Sequence, residues 1–247
     1  MRKVAPGLVL ALAACASSRT ASNPAAPGFD AARSDPRAIA IADEVMEALG
    51  GRAAWDATRC LQWRFKKSRR LCWDRTSGDF RLDDGDRVVL MNLGTGQGRV
   101  YEKGVEVADA DKQRDALDRA YKTWVNDSYW LLAPYKLKDS GVRLSWKGEG
   151  ALDGGRGADI LRLEFAGVGV TPDNAYDLWV ARDTHLVERW SYYKWNTDAQ
   201  PAMTTPWADW RRYGAIRLAS DHGTGPATDE IVVSDAPPAR LHDASLP

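Results

Sequence analysis

Cys60-Leu61-Gln62-Trp63-Arg64-Phe65-Lys66-Lys67-Ser68-Arg69-Arg70-Leu71-Cys72-Trp73 is the stretch on which the fold class turns. Leu61, Trp63 and Phe65 alternate with Gln62, Arg64 and Lys66, the two-residue period of a strand with one buried face. The charged run Lys67-Ser68-Arg69 reads as a turn, after which Leu71 and Trp73 resume the apolar face, so the pattern predicts a β-hairpin. In a hairpin centred near Lys66, Cys60 and Cys72 fall on the same side. Two alternatives stay open for them, a cross-strand disulfide or two unlinked thiols, because a bond needs a Cα separation that spacing alone does not supply.

The same alternation continues downstream. Phe80 with Leu82, Val88 to Met91, Val100-Tyr101 and Val105 with Val107 are expected strands, separated by Gly78, Asp83-Asp84-Gly85 and Gly94 to Gly98. Helical spacing begins near Asp111, where Leu117, Tyr121, Trp124 and Val125 recur, and Asn126-Asp127 reads as the cap of a further short helix ended by Pro134. Strands resume at Val142-Leu144-Trp146, Leu161-Leu163-Phe165, Tyr176-Leu178-Val180, Leu186 to Trp195, Trp207 to Leu218 and Ile231-Val232-Val233. Upstream, Asp35-Pro36 opens a helix with a cap and a first-turn proline, carrying Ile39, Val45, Met46 and Leu49 and closed by Gly50-Gly51. Many strands around a few helices, with no βαβ rhythm, predict an α+β fold built on an antiparallel sheet.

The N-terminus has a different character. Arg2 and Lys3 precede an uncharged run from Val4 to Ala14, and small residues Ala13 and Ala14 stand before Cys15. The order matches an export signal, and the apolar run is about half of the ~20 residues that a membrane-spanning helix needs. Leu12-Ala13-Ala14-Cys15 resembles a bacterial lipoprotein signal, which implies cleavage before Cys15 and lipidation of its thiol. Residues 1–14 are therefore expected as signal peptide, 15–35 as a lipidated flexible tether rich in Ser, Ala, Pro and Gly, and 36–240 as one domain. Ala16 in the position after the cysteine favours the outer membrane, with the domain facing the periplasm, and a monomer is expected.

Lysine plus arginine equals aspartate plus glutamate at 34 each, so nothing in the charge balance argues for nucleic acid. Catalytic patterns are sparse. His185, His222 and His242 are the only histidines and belong to no His-Glu-x-x-His or His-x-His pattern; no Gly-x-Ser-x-Gly elbow occurs. Neither an enzyme, a metal site nor a cofactor is expected. The basic run from Lys66 to Arg70 suits either anionic lipid headgroups or, as preferred, a solvated hairpin tip.

Trp124 to Leu137 (WVNDSYWLLAPYKL), Trp73-Asp74 ahead of the Gly78–Arg81 turn, and Tyr176 through Trp195 resemble bacterial envelope lipoproteins related in pattern to the lipoprotein-sorting carriers LolA and LolB. That resemblance, over roughly residues 38–220, implies a curved, incomplete antiparallel β-barrel whose concave face is covered by helices, around an apolar cavity. It departs from the sorting receptor in lacking a short loop with an apolar tip. Eleven tryptophans are available to line such a cavity. Trp63, Phe65, Trp73, Leu163, Phe165, Tyr176, Leu178, Trp190 and Tyr192 are the candidates on the concave face, with Trp124 and Trp130 packing from helices. The expected ligand is a lipid or acyl chain. The alternative is a structural or interaction lipoprotein in which these same side chains fill the core.

Overall fold

The computed structural model describes residues 23–167 and 169–245. The expected signal peptide, Cys15 and the first part of the tether lie outside the described residues. From Asn23 onward the chain is docked rather than free. Ala26 and Asp30 donate backbone hydrogen bonds to Lys138 and Val142, and Asp35 donates to Leu144 at 2.8 Å. The stretch expected as flexible tether up to residue 35 is thus held, over its second half, against the strand that begins at Val142.

Among the described residues the α-helices are α1 (Pro36–Ala48), α2 (Arg52–Ala57) and α3 (Ala110–Leu132). Between α2 and α3 run β1 (Cys60–Phe65), β2 (Arg69–Asp74), β3 (Asp79–Asp84), β4 (Arg87–Asn92), β5 (Gly98–Glu102) and β6 (Val105–Glu106). After α3 follow β7 (Val142–Ala151), β8 (Gly157–Phe165), β9 (Ala175–Ala181), β10 (Val187–Tyr193) and β11 (Met203–Pro206). A small hairpin, β12 (Arg211–Tyr213) and β13 (Ile216–Leu218), precedes β14 (Thr228–Ser234). Among the described residues no helix is long and apolar enough to cross a membrane.

The fold is α+β, with antiparallel sheets that do not close into a barrel. Where a single curved sheet was expected, the strands divide into a seven-stranded sheet of order β14-β1-β2-β3-β4-β5-β6, a five-stranded sheet of order β11-β10-β9-β8-β7, and the β12-β13 pair. Nearly all of this order is meander, as short turns between antiparallel neighbours require. The exception is β14, which returns from the far end of the chain to pair with β1, placing Arg64 opposite Asp229. Leu61, Trp63 and Phe65 of β1, Leu71 of β2 and Phe80 and Leu82 of β3 are buried on one face, as the alternation predicts. They join Leu144, Leu161, Leu163, Leu178 and Trp190 of the second sheet in one continuous apolar cluster.

Helix α1 starts as predicted, with the Asp35 carboxylate accepting from the Arg37 backbone N–H at 2.8 Å and Pro36 in the first turn. Its buried stripe is Ala38, Ile41, Ala42, Val45, Met46 and Leu49. Ile39 lies one step off that stripe and is only half-buried, correcting the expected face. Helix α3 runs unbroken for 23 residues, about 34 Å at 1.5 Å per residue, with no new helix at Asn126-Asp127. Asp127 is not a cap. It sits inside the helix with none of its side chain exposed, and both of its oxygens accept from Arg69, at 2.7 and 2.9 Å.

The hairpin turn corrects two further expectations. Phe65 pairs with Arg69, so the turn is Lys66-Lys67-Ser68, with both lysines at positive φ (52° and 58°). Arg69 is therefore a strand residue that turns inward, and Arg70 meets Glu230. The register sets Cys60 opposite Asp74 and Cys72 opposite Gln62, two residues out of step. Diagonal positions of that kind lie about 7–8 Å apart, beyond ordinary disulfide reach. Both thiols are free and buried, and burial pushes the Cys72 thiol up to about 12.

Two outcomes follow for this framework. Alkylation of the chain in denaturant without reductant, mapped by mass spectrometry, should label both Cys60 and Cys72, whereas the native protein should protect them. Arg69→Met should cost roughly 3–5 kcal/mol at pH 7 in chemical denaturation, because it leaves the Asp127 carboxylate buried and unpaired. The double variant Arg69→Met/Asp127→Leu should recover most of that loss. Burial already pushes the Asp127 carboxyl up against the opposing pull of Arg69, so the single variant's deficit should shrink as pH falls and the carboxyl protonates.

Candidate functional site: an aromatic cavity beneath α3

The N-terminal part of α3 lies on the first sheet, where Gln113 Nε2 donates to the Gly98 carbonyl at 2.9 Å. Its C-terminal part lies over the second sheet, with Tyr129 5.3 Å from Tyr176 and Trp130 4.7 Å from Trp190 between ring centroids. Under that end opens a cavity of about 1020 Å³. It stands at the upper end of the roughly 300–1,000 Å³ usual for small-ligand sites.

Six of the aromatics singled out from the sequence line it: Trp124 and Trp130 from α3, Phe165 from the end of β8, Tyr176 from β9, and Trp190 and Tyr192 from β10. Register explains their convergence. Tyr176 is directly opposite both Leu163 and Tyr192, and Leu178 is opposite Trp190, so one face of β8-β9-β10 carries the whole set. Trp124, Phe165 and Tyr176 are only half-buried even though they pack against the core, and Tyr192, its ring 5.7 Å from that of Tyr176, is half-buried as well, because these rings border the cavity.

The other five candidates stand apart from the cavity wall. Trp63, Phe65, Leu163 and Leu178 are packed in the core, each 2% exposed or less. Trp73 packs edge-on against Trp124 at 5.1 Å, on the side facing the first sheet. Alternation identifies an inward face but not which stretch of it meets another side chain. Sequence reasoning also missed Tyr129, Met203 and the loop Thr224-Gly225-Pro226-Ala227, all of which line the cavity. Tyr129 was visible at helical spacing, four residues after Val125; the loop carried no signal.

The wall is neutral. Burial holds the Tyr129 phenol well above its ordinary value and pushes Tyr176 up to about 12, so both stay protonated at neutral pH. The Tyr129 hydroxyl and the Trp124 and Trp190 indole N–H groups are buried with no hydrogen-bond partner among the described residues. Charge appears only among the more polar lining residues: Lys66, Lys67, Lys122 and Lys136, with Asp139 the one acid. Among the described residues no group of His, Cys, Asp and Glu is arranged to hold a metal ion. His185, at positive φ in the turn before β10, faces Glu44 at 3.2 Å and is not among the residues that line the cavity.

His222 lies behind the cavity, buried with its ring 4.5 Å from Trp207 and 5.5 Å from Trp130. Desolvation takes its pKa from the ordinary 6.5 down to about 4. A histidine whose folded pKa is depressed binds fewer protons folded than unfolded between those values, so stability is lost as pH falls through that window. Unfolding free energy should drop between pH 6.5 and 4 by an amount approaching roughly 3 kcal/mol from this group. Urea titrations across that range should show a shallower acid slope for His222→Gln; an unchanged slope would place the acid sensitivity elsewhere.

No protein-family model matches the sequence, and no curated protein matches it. Among solved structures, the chain is similar to a DUF1329 family protein from Desulfovibrio piger, at 11% identity and a TM-score of 0.45, over 83% of this chain and 97% of that one. It is also similar to MucB, at 19% identity and a TM-score of 0.28, over 69% of this chain and 56% of MucB. A third similarity is to the MucA/MucB complex of Pseudomonas aeruginosa, at 17% identity and a TM-score of 0.27, over 83% of this chain and 61% of the other.

Proposed function

We propose that this protein is a non-enzymatic, lipid-anchored envelope protein that holds an apolar ligand, an acyl chain or a lipid, in the cavity beneath α3. The observation that carries the reading is the cavity itself: about 1020 Å³ of space bordered by aromatic rings, of which Trp124, Phe165, Tyr176 and Tyr192 are only half-buried. A core that only needed filling would bury those rings on both sides, as it does Trp63. Apolar surface left facing a void is stabilised when a chain of CH₂ groups covers it, at about 0.8 kcal/mol per buried CH₂. On this reading the two open sheets and the helix across them act as a half-barrel, in keeping with the resemblance to lipoprotein-sorting carriers, and Cys15 tethers the domain at the membrane that supplies its ligand.

The test is saturable binding of N-phenyl-1-naphthylamine, an uncharged fluorophore that brightens in apolar surroundings. The full chain should bind it, and palmitate should displace it. Phe165→Ala should change probe affinity several-fold while costing less than the roughly 3–5 kcal/mol of a fully packed aromatic, since one side of that ring already lacks partners. Trp63→Ala should show the opposite pattern, a loss in that range with unchanged affinity per folded molecule. An absence of saturable probe binding by the folded protein would leave a closed structural protein as the better account.

A further inference from the structure

The cavity's ionic surroundings are lopsided, and the imbalance is concentrated at one place. Of the four lysines that border it, Lys122 is held by Asp118 at 2.7 Å and Lys136 by Asp139 at 3.0 Å. Lys66 and Lys67 make no ion pair with any described residue and are exposed. Their neighbours are all matched: Arg64 with Asp229 and Glu230, Arg69 with Asp127, Arg70 with Glu230. Two cations are thus left over at the rim of an apolar, uncharged chamber.

Their position is held by the fold. The Lys66 backbone N–H donates to the Ala227 carbonyl at 2.9 Å, tying the hairpin tip to the loop that forms the adjoining lip of the cavity. Both lysines adopt the left-handed region (φ 52° and 58°), where glycine or asparagine is the cheaper choice. A solvated tip has no need of adjacent lysines there.

Resting on the proposed apolar-ligand reading, we infer that the cavity's ligand is an anionic amphiphile, whose acyl chain occupies the chamber and whose phosphate or carboxylate head is met by Lys66 and Lys67 at the rim. Cations placed at the mouth of a low-dielectric cleft attract such a head and orient the chain inward. A neutral or zwitterionic amphiphile of the same chain length gains the apolar contact and little else.

The experiment is competition against N-phenyl-1-naphthylamine on the full chain. Hexadecyl phosphate, palmitate, hexadecanol and hexadecylphosphocholine serve as competitors, each kept below its aggregation threshold. At least one anionic competitor should displace the probe about tenfold more effectively than hexadecanol at low salt. The advantage should shrink as salt rises from 0.05 to 0.5 M. The ranking of phosphate against carboxylate identifies the head. Lys66→Gln/Lys67→Gln should bind the uncharged probe as the parent does and lose most of the anionic preference. Equal displacement by hexadecanol and both anions, or an anionic preference untouched by the double variant, overturns the inference while the apolar cavity stands. Loss of probe binding in the parent protein overturns the cavity reading, and the inference with it.

Discussion

Arg69 leaves the exposed end of the β1–β2 hairpin to reach Asp127, a carboxylate with no exposed surface, in the second half of α3. A buried pair of this kind contributes little net stability, because desolvation of both charges offsets their attraction. What it supplies is register. Residues three apart share a helix face, so turning Asp127 toward Arg69 also turns Trp124 and Trp130 toward the sheets. A helix rotated by a third of a turn would leave the carboxylate buried without its cation. The aromatic roof of the cavity therefore depends on one ion pair made with the opposite sheet.

The cavity follows from how that helix meets two sheets at once. The pair with β2 and the packing of Trp124 on Trp73 hold α3 to the first sheet, while Trp130 rests on Trp190 of the second. Phe165 stands where β8 ends and Tyr176 where β9 begins, so the inward face of the second sheet gives out beneath the C-terminal end of α3. The result is a chamber with a neutral aromatic wall and its cations at the rim. Apolar contact and charge recognition are spatially separated, as an amphiphile separates them.

The opposite face of the first sheet is treated differently. There Arg81, 1% exposed, pairs with Asp83 and donates to the carbonyls of Arg240, Asp243 and Ser245, while Arg240 also pairs with Asp83. The C-terminal segment is stitched by these bonds over a face that would otherwise be polar and open, which is why Cys60 and Cys72 are buried there. Two thiols on a hairpin invite a disulfide reading, and only the register excludes it.

The sequence by itself determined the strand alternation of Leu61-Trp63-Phe65 and Leu161-Leu163-Phe165, the Asp35-Pro36 helix start, and the wealth of aromatics turned inward. These are local properties: a period of two or 3.6 residues and a cap are written in neighbouring positions. Tertiary structure alone decided that β14 pairs with β1, that the strands form two sheets, and that Asp127 serves Arg69 instead of capping a helix. It also decided which inward rings are core and which are wall, since Trp63 and Tyr176 carry the same alternation signal and differ only in what stands opposite. Lys66 and Lys67 show the same limit. Their charge is plain in the chain, but whether they are a solvated tip or the rim of a chamber depends on a loop some 160 residues away, brought beside them by long-range pairing that no local pattern encodes.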